Sequence, residues 1–304
     1  MANPAYVAVD WGTSSFRLWL IDADGSVLAE RRSGEGMTTA AKTGFSQVLA
    51  GHLAAVEAPA DLPVIVCGMA GARQGWVEAG YIDVPASLSS VLSGAVSVPG
   101  ENRDVRILPG LAQRDAAAPD VMRGEETQLL GALGPASRGA QAVCMPGTHS
   151  KWVHVKDGRV TGFATFMTGE LFDAITKHTI LMHAVAGAED QPADAAAFEA
   201  AVAAAFKRPA LASNLIFTAR SGQLLHGISA AAAQAKLSGI LIGLEIAGAL
   251  QDAANSGITL VASGRLQALY EQAFRALSLD FTAIDADAAV RRGLSAAAEA
   301  IWPN

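Results

Sequence analysis

A five-part pattern of apolar runs and turns occurs twice in the sequence, and it constrains the fold more than any other feature. In the first copy, residues 6–29, three apolar runs are separated by a hydroxyl-rich turn and by Asp24-Gly25. In the second copy, residues 141–166, the runs are separated by a small polar turn and by Asp157-Gly158. Asp-Gly between apolar runs is a strong hairpin signal. Each copy therefore predicts strand, turn, strand, turn, strand, and a repeat half a chain apart suggests two similar domains.

The first turn of each copy carries groups that can hold a phosphate. Exposed backbone N–H groups beside hydroxyls can bind phosphate, and an acid in the same turn can hold a metal through water. An ordinary hairpin with a polar tip is the alternative interpretation. Because Gly-Thr recurs at the same place in both copies, we expect a phosphate clamp with one turn from each domain. The residues concerned are Asp10, Gly12, Thr13, Ser14 and Ser15 in the first copy, and Gly147 and Thr148 in the second.

An acidic pair, Glu125 and Glu126, stands at the start of a segment whose apolar spacing predicts a helix. Two acids in the first turn of a helix complement its dipole, which is a sufficient structural explanation. The same position would also place carboxylates at the end of an element, where a general base is useful. The spacing favours neither explanation over the other.

A glycine-rich segment, residues 68–76, follows the apolar run at 63–67, which predicts a buried strand. The G-x-G-x-x-G spacing of a dinucleotide fingerprint is absent, so we reject that site. Arg73 and Trp76 on this segment point to a substrate loop, and a simple strand-to-helix turn is the alternative.

The last third of the chain predicts a nucleotide-sized opening and a packing helix. Residues 258–262 predict a strand that leads through Gly264 into a helix, and the glycine would let a ligand approach the backbone. Residues 237–250 predict an apolar helix whose glycines permit close packing and which is too short to span a bilayer. In the middle of the chain, Thr168 is the expected N-cap of another helix.

Composition limits the classes of partner. With 304 residues, 51% of them hydrophobic and 17% charged, the chain can form two domains with sizeable cores. The net charge of −7 argues against nucleic acid and against anionic membranes. No zinc spacing, signal peptide or structural disulfide between Cys67 and Cys144 is expected. We expect a cytoplasmic protein that acts on a small molecule, with a homodimer left open.

Four segments occur in this order: residues 9–17 around the first polar turn, 122–128 around the acidic pair, 145–152 around the second polar turn, and 167–171. Together they closely resemble the 2-dehydro-3-deoxygalactonokinase family, which belongs to the sugar kinase, Hsp70 and actin superfamily. The resemblance implies an α/β fold of two ribonuclease-H-like domains of the actin/hexokinase type, with ATP in the cleft between them. It places the domains at residues 1–136 and 137–304, with the last helix packing back on the first domain. The segments are Val9-Asp10-Trp11-Gly12-Thr13-Ser14-Ser15-Phe16-Arg17, Met122-Arg123-Gly124-Glu125-Glu126-Thr127-Gln128, Met145-Pro146-Gly147-Thr148-His149-Ser150-Lys151-Trp152 and Met167-Thr168-Gly169-Glu170-Leu171.

The resemblance also implies roles for individual residues. Residues 10–15 are similar to the first phosphate loop, Gly147-Thr148 to the second, and residues 261–264 to the adenosine-binding strand and turn. Many relatives have an aspartate base near the second loop, where this chain has Met145 and Pro146. Residues 123–126 resemble the glutamate motif of exopolyphosphatases, so Glu126 is the first candidate base and Glu125 the second.

The expected reaction is ATP-dependent phosphorylation of the terminal 6-hydroxyl of 2-dehydro-3-deoxy-D-galactonate. Asp10 would hold Mg²⁺ through water, and Lys151 would stabilise the transferred charge unless it is a solvated lysine at a strand end. Arg73 and Glu170 are the expected substrate-binding residues, with Arg73 on the substrate carboxylate. The rival functions are an exopolyphosphatase-like phosphohydrolase and an actin- or Hsp70-like ATPase.

Overall fold

The computed structural model describes residues 3–134, 137–251 and 257–303, and every predicted strand of the two copies is present. The strands are β1 Pro4–Trp11, β2 Phe16–Asp22, β3 Val27–Ser33, β4 Val64–Gly68, β5 Tyr81–Asp83, β6 Ala86–Ser87, β7 Val96–Ser97, β8 Val105–Ile107, β9 Gly110–Gln113, β10 Asp120–Met122, β11 Ala140–Met145, β12 Ser150–Lys156, β13 Arg159–Phe166, β14 Gly257–Ala262 and β15 Phe281–Asp285. The α-helices are α1 Met37–Thr43, α2 Phe45–Ala55, α3 Leu88–Ser93, α4 Glu125–Leu133, α5 Thr168–His178, α6 Met182–Val185, α7 Ala195–Lys207, α8 Ala212–His226, α9 Ala230–Ala249, α10 Gly264–Ala276 and α11 Ala286–Ile301. Short 3₁₀ helices cover Met69–Gly71, Ala188–Asp190 and Pro209–Leu211.

The chain divides into two compact units that are not continuous in sequence. The first comprises Met1–Gly139, His154–Phe163 and Ile284–Asn304, and the second comprises Ala140–Val153 and Ala164–Ala283. The expected boundary after residue 136 falls on a residue outside the described ones. The helix α11 belongs to the first unit.

The main sheet of the first unit has the strand order β3-β2-β1-β4-β8-β7. β1, β2 and β3 are antiparallel neighbours, while β1, β4 and β8 run parallel. Val7 and Val9 of β1 pack on the face that α2 covers, and Tyr6 and Ala8 pack on the face that α11 covers. Because helices cover both faces, this strand is a continuous apolar run. A smaller sheet, β10-β9-β5, and the pairing of β6 with β13 complete the unit.

The second unit repeats the strand order of the first. The parts of the strands that belong to it follow the order β15-β14-β11-β12-β13, in which β11 and β14 run parallel. This corresponds to β8-β4-β1-β2-β3 in the first unit. The duplicated order is the one expected of two ribonuclease-H-like cores, and it confirms the predicted α/β fold class.

The Asp-Gly turns have the backbone that hairpins require. Asp157 and Gly158 lie between β12 and β13 with φ angles of 50° and 71°. Positive φ at both central residues is the requirement of a type I′ turn, which matches the twist of the flanking strands. In the first copy Gly25 has a φ of 80°.

Two predictions about helices of the second unit are wrong. Ser229 caps α9, which is 20 residues long, so the helix extends further than residues 237–250 and is not too short to cross a membrane. Within the described residues it alone is long and apolar enough for that, and most of its apolar stretch is buried. Thr168 is the first residue of α5 and not its N-cap, because its hydroxyl donates to Glu245.

Candidate functional site

Backbone hydrogen bonds fix the first polar turn, and its hydroxyl-bearing residues are exposed. Gly12 N–H donates to the Ser15 carbonyl over 2.9 Å, while Thr13, Ser14 and Ser15 are exposed. Met37 at the start of α1 donates its N–H to the Gly12 carbonyl over 2.9 Å. The turn is therefore fixed against α1 with its hydroxyls available to a ligand.

Asp10 lies beside this turn and is already paired with a cation. Its Oδ2 accepts a hydrogen bond from Arg17, which stands opposite it on β2 and also pairs with Asp287 of α11. Its Oδ1 lies 3.8 Å from the Cys67 sulfur on the neighbouring parallel strand. The Asp10 side chain is 13% exposed, so part of the carboxylate can meet a ligand.

Glu126 turns back to the start of its own helix. Gly124 is the N-cap of α4 and has no side chain, and its N–H donates to both carboxylate oxygens of Glu126 over 3.0 and 2.8 Å. The Thr127 hydroxyl donates to the same carboxylate over 3.0 Å. Glu126 is 0% exposed, and burial, together with the neighbouring Glu125, raises its pKa to about 8.

Glu125 is only partly buried, and its Oε2 accepts the backbone N–H of Arg123 over 3.0 Å. The two glutamates therefore face different environments although they are adjacent. A β-carbon on Gly124 would lie 3.4 Å from the Gly68 Cα, so the pair stands beside the end of β4. Cys67 of β4 pairs in register with Asp10, which brings the acidic pair and Asp10 to the same edge of this sheet.

Arg73 and Arg123 occupy different environments near this edge. Arg73 is exposed on the turn after β4, where none of the described residues hydrogen-bonds its side chain. The Arg123 guanidinium lies over the Tyr81 ring at 4.4 Å and donates to two backbone carbonyls. Sequence reasoning assigned Arg123 no role of its own, although it belongs to one of the four segments. Trp76, predicted on a substrate loop, stacks on Phe45 in the core.

The second polar turn is backed by the start of α5. A β-carbon on Gly169 would come within 2.6 Å of the Gly147 carbonyl oxygen, so glycine is required for this approach. Glu170 N–H donates to the Thr148 carbonyl over 3.0 Å, and its carboxylate pairs with His149. Glu170, in the first turn of α5, thus lies against the second polar turn.

Lys151 is 6% exposed, and its Nζ donates to the Thr165 hydroxyl over 2.7 Å. The alternative of a solvated lysine at a strand end is therefore wrong.

A buried carboxylate, Glu245, connects the second turn to the helices behind it. Trp152 Nε1–H donates to one oxygen over 2.8 Å, and the hydroxyls of Thr168 and Tyr270 donate to the other. Ser150, next to the turn, hydrogen-bonds Tyr270 over 3.1 Å. Burial raises the pKa of Glu245, while the hydrogen bonds from these donors act in the opposite direction and offset the shift only in part. The sequence analysis did not predict that Glu245 connects the second polar turn to the helices behind it, although a single acidic residue inside an apolar helix was a signal.

A cavity of about 240 Å³ opens beside Gly147 and Gly169 in the second unit. Its walls are mainly apolar side chains of α5, α9 and α10, with a few polar groups among them. A neighbouring cavity of about 600 Å³ shares Gly147, Gly169 and Leu266 with it and extends along Thr148. Gly264, at the start of α10, has a φ of 60° and open space where a β-carbon would point. The apolar lining residues are Phe172, Leu241, Ile242, Leu266 and Leu269, and the polar ones include Gln234, Ser238 and Arg265.

The model of the 2-keto-3-deoxy-galactonokinase family matches residues 10–297 of the chain. A Rhizobium meliloti (strain 1021) protein named "Probable 2-dehydro-3-deoxygalactonokinase" is 64% identical over 299 residues, which cover 98% of each chain. The 2-dehydro-3-deoxygalactonokinase of Escherichia coli (strain K12) is 37% identical over 299 residues, covering 97% of this chain and 98% of the relative. A crystal structure from Sinorhizobium meliloti, described as a protein of the same kind, has a TM-score of 0.95 at 64% identity and covers 98% of this chain and 100% of the other. These similarities extend over both units.

Proposed function

The chain belongs to the 2-keto-3-deoxy-galactonokinase family, and from that premise we propose that it phosphorylates the terminal 6-hydroxyl of 2-dehydro-3-deoxy-D-galactonate with ATP. The observation that carries the proposal is 64% identity over 98% of the chain to a relative named for this activity. The enzyme is a sugar-acid kinase that serves galactonate catabolism.

The cavity beside Gly147 supports nucleotide binding in the second unit. Apolar walls suit an adenine ring, and the polar groups among them suit a ribose. The open backbone at Gly264 lets a ligand approach the start of α10. The larger neighbouring cavity leads along Thr148, so phosphates attached to the nucleoside would meet the second polar turn.

Asp10 fits the metal that accompanies ATP. Mg²⁺ at phosphates needs only one or two protein carboxylates, and it keeps several of its waters. Arg17 engages Oδ2 of Asp10, which leaves Oδ1 as an acceptor for a metal-bound water. When bound, Mg²⁺ neutralises charge on the phosphates. The hydroxyls of Thr13, Ser14 and Ser15 are the proposed phosphate-binding groups of the first turn, and Lys151 is proposed to stabilise the transferred charge.

The different burial of the two glutamates favours Glu125 as the base. A general base must reach the acceptor hydroxyl, and Glu126 is 0% exposed with both oxygens hydrogen-bonded to Gly124 N–H. With a pKa of about 8, Glu126 holds its proton at neutral pH and holds Gly124 in place. Glu125, which is only partly buried, is then the glutamate that orients the acceptor hydroxyl.

Glu125→Gln is expected to lower kcat by about 10²-fold or more, the usual size of a general-base effect. Glu126→Gln keeps the shape of the helix start and should lower kcat less. Steady-state kinetics of the two variants, measured side by side with circular dichroism as a check of folding, compares them. A larger loss in Glu126→Gln would assign the base to Glu126.

An assay of ADP release over a panel of sugar acids tests the function itself. A rate that depends on 2-dehydro-3-deoxy-D-galactonate, with the phosphate found on its terminal carbon, is expected. Release of ADP and phosphate without any acid would instead indicate a phosphohydrolase or an ATPase. The 3-deoxygluconate epimer in the same panel measures stereochemical preference.

The net charge of −7 argues against nucleic acid and against an anionic membrane surface as partners, whereas a few local arginine and lysine side chains suffice to bind a small sugar acid. We place the reaction in the cytoplasm, where ATP is available.

A further inference from the structure

We propose that the Arg123 guanidinium binds the substrate carboxylate and so selects sugar acids over neutral sugars. The inference rests on the proposed function, because it names how that substrate is recognised. It replaces Arg73, the cation expected from the sequence.

The guanidinium of Arg123 is fixed before any ligand arrives. Its Nη2 donates to the Gly80 carbonyl over 2.9 Å, and its Nη1 donates to the Ala79 carbonyl over 3.3 Å. The Tyr81 ring lies 4.4 Å from its centre. A β-carbon on Gly71 would come within 2.8 Å of Nη1, so the backbone after β4 also limits its position. An arginine ordered in this way loses little conformational freedom on binding.

The hydrogen bonds that fix Arg123 leave its charge without a counter-ion. Among the described residues no carboxylate lies within ion-pair distance of this guanidinium, whereas Arg17 in the same unit pairs with both Asp10 and Asp287. The Nε of Arg123 is buried and has no hydrogen-bond partner. A buried donor without an acceptor is rare and requires an explanation. A ligand carboxylate would supply the missing charge and would place an acceptor oxygen at Nη2, the exposed end of the guanidinium.

The position of Arg123 in the chain agrees with the length of the substrate. Its backbone N–H is held by Glu125, the proposed base, and its side chain extends from that point to the loop at Gly80. The substrate carries its carboxylate and its reacting hydroxyl at opposite ends of one carbon chain. An arginine side chain spans a comparable length, so one molecule can meet Glu125 with its hydroxyl and the guanidinium with its carboxylate.

Arg73 lacks these features. It is exposed, and no hydrogen bond or ion pair within the described residues holds its side chain. An exposed and flexible arginine gives little binding energy, because solvent screens its charge and ordering costs entropy.

The test compares 2-dehydro-3-deoxy-D-galactonate with its uncharged carboxamide as phosphate acceptors. Arg123→Gln is expected to raise the KM for the acid by about ten- to a hundredfold, which corresponds to the loss of hydrogen bonds to a charged group. The KM for ATP should stay within about twofold, and the preference for acid over amide in kcat/KM should disappear. Arg114→Gln is the matched control, because Arg114 is an exposed arginine of the same unit that pairs with Asp83.

Arg123→Lys covers the case in which the glutamine variant does not fold. Lysine keeps the charge but not the planar fork, so an intermediate KM for the acid is expected with the amide unaffected. Equal losses for acid and amide in kcat alone would show that Arg123 merely supports the loop, and would overturn the inference. So would a shift in KM for the acid in Arg73→Gln but not in Arg123→Gln. A wild-type enzyme inactive on every sugar acid would overturn the proposed function instead.

Discussion

Each unit buries one glutamate almost completely, and neither glutamate pairs with a basic side chain among the described residues. Glu126 is held by a backbone N–H and a threonine hydroxyl, and Glu245 by indole, threonine and tyrosine donors. Burial raises the pKa of both. Neutral donors can stabilise a buried carboxylate only in part, so these residues resist ionisation as the pH rises.

The raised pKa of Glu126 makes stability fall as the pH rises. The folded pKa of about 8 exceeds the unfolded value of 4.5, so between these values the folded state holds a proton that the unfolded state has released. The stability that the protonated Glu126 carboxyl group contributes is fully present below pH 4.5 and is lost by about pH 8. Urea unfolding at several pH values across this window should measure the free energy of unfolding of both proteins. The value for Glu126→Gln should rise relative to that of the wild type by about 1.4 kcal/mol per pH unit. Parallel curves for the two proteins would contradict the assignment.

Glu245→Gln tests whether the buried carboxylate shapes the cavity. The amide places an N–H₂ against hydroxyl donors, so a loss of about 1–3 kcal/mol in the free energy of unfolding is expected. Because Thr168 and Tyr270 line the cavity, the KM for ATP should rise while the KM for the sugar acid stays constant. Glu199→Gln is the control, since Glu199 is exposed and accepts a hydrogen bond from Gln272. A change in the sugar-acid KM alone would refute the link to the nucleotide cavity.

At the scale of residues, local pattern predicted the polar turns and the acidic pair but not their environments. Glu126 stands three and four positions before Leu129 and Leu130, so helical spacing places it on the inward face. Its hydrogen bonds with the Gly124 N–H could not be predicted from that spacing. The partners of Arg123 come from residues more than 40 positions away. Such contacts depend on tertiary packing, which periodicity does not encode.

At the scale of elements, the two hairpin copies were predictable because their turns are local. The parallel strands β4 and β14 were likewise identified from short apolar runs that lead into glycine-containing turns. The close approach of α4 and α11 was not predictable from local pattern. It depends on Gly131 and Gly293, which are 162 positions apart and give no local signal of facing each other.

Gly131→Ala and Gly293→Ala should each force α4 and α11 apart. A β-carbon at Gly131 would lie 1.9 Å from the Ala289 carbonyl oxygen, and one at Gly293 would lie 2.0 Å from the Thr127 carbonyl oxygen. Overpacking of this kind costs about 1–3 kcal/mol or more, despite the higher helix propensity of alanine. Thermal and urea unfolding measure the loss, and kcat should fall because α4 carries the glutamates.

Gly51→Ala is the control for those substitutions. Gly51 lies inside α2 with nothing within 4 Å of its β-carbon position, so alanine there should stabilise the protein by up to about 1 kcal/mol. If all three alanine variants were equally stable, the helix contact would not be as close as the structure indicates.

At the scale of the whole molecule, the internal repeat predicted two units. The repeat did not show that each unit is built from segments that are separate in the sequence. Residues 154–163 and 284–304 join the first unit from beyond its expected limit. The hydrophobic pattern of α11 shows that one face is buried but does not identify its partner. The partner is the face of the first sheet that carries Tyr6 and Ala8.

A fragment of residues 1–136 should therefore fail to fold alone. Without α11, the apolar sheet face that includes Trp19 and Ile65 would be exposed to water. We expect aggregation in gel filtration and no cooperative unfolding by circular dichroism. A monomeric fragment with a sharp transition would show that α11 is dispensable for this core.

The contact between α4 and α11 also governs when the enzyme can be assembled. A ribosome makes residues 286–301 after all the other segments that pack in the first unit, although β1 to β4 are among the earliest to emerge. The face of the N-terminal sheet that α11 covers must wait until the whole second unit has been synthesised. The nascent chain therefore offers an apolar surface to chaperones throughout that interval, and the acidic pair reaches its final position only in the last stage of folding.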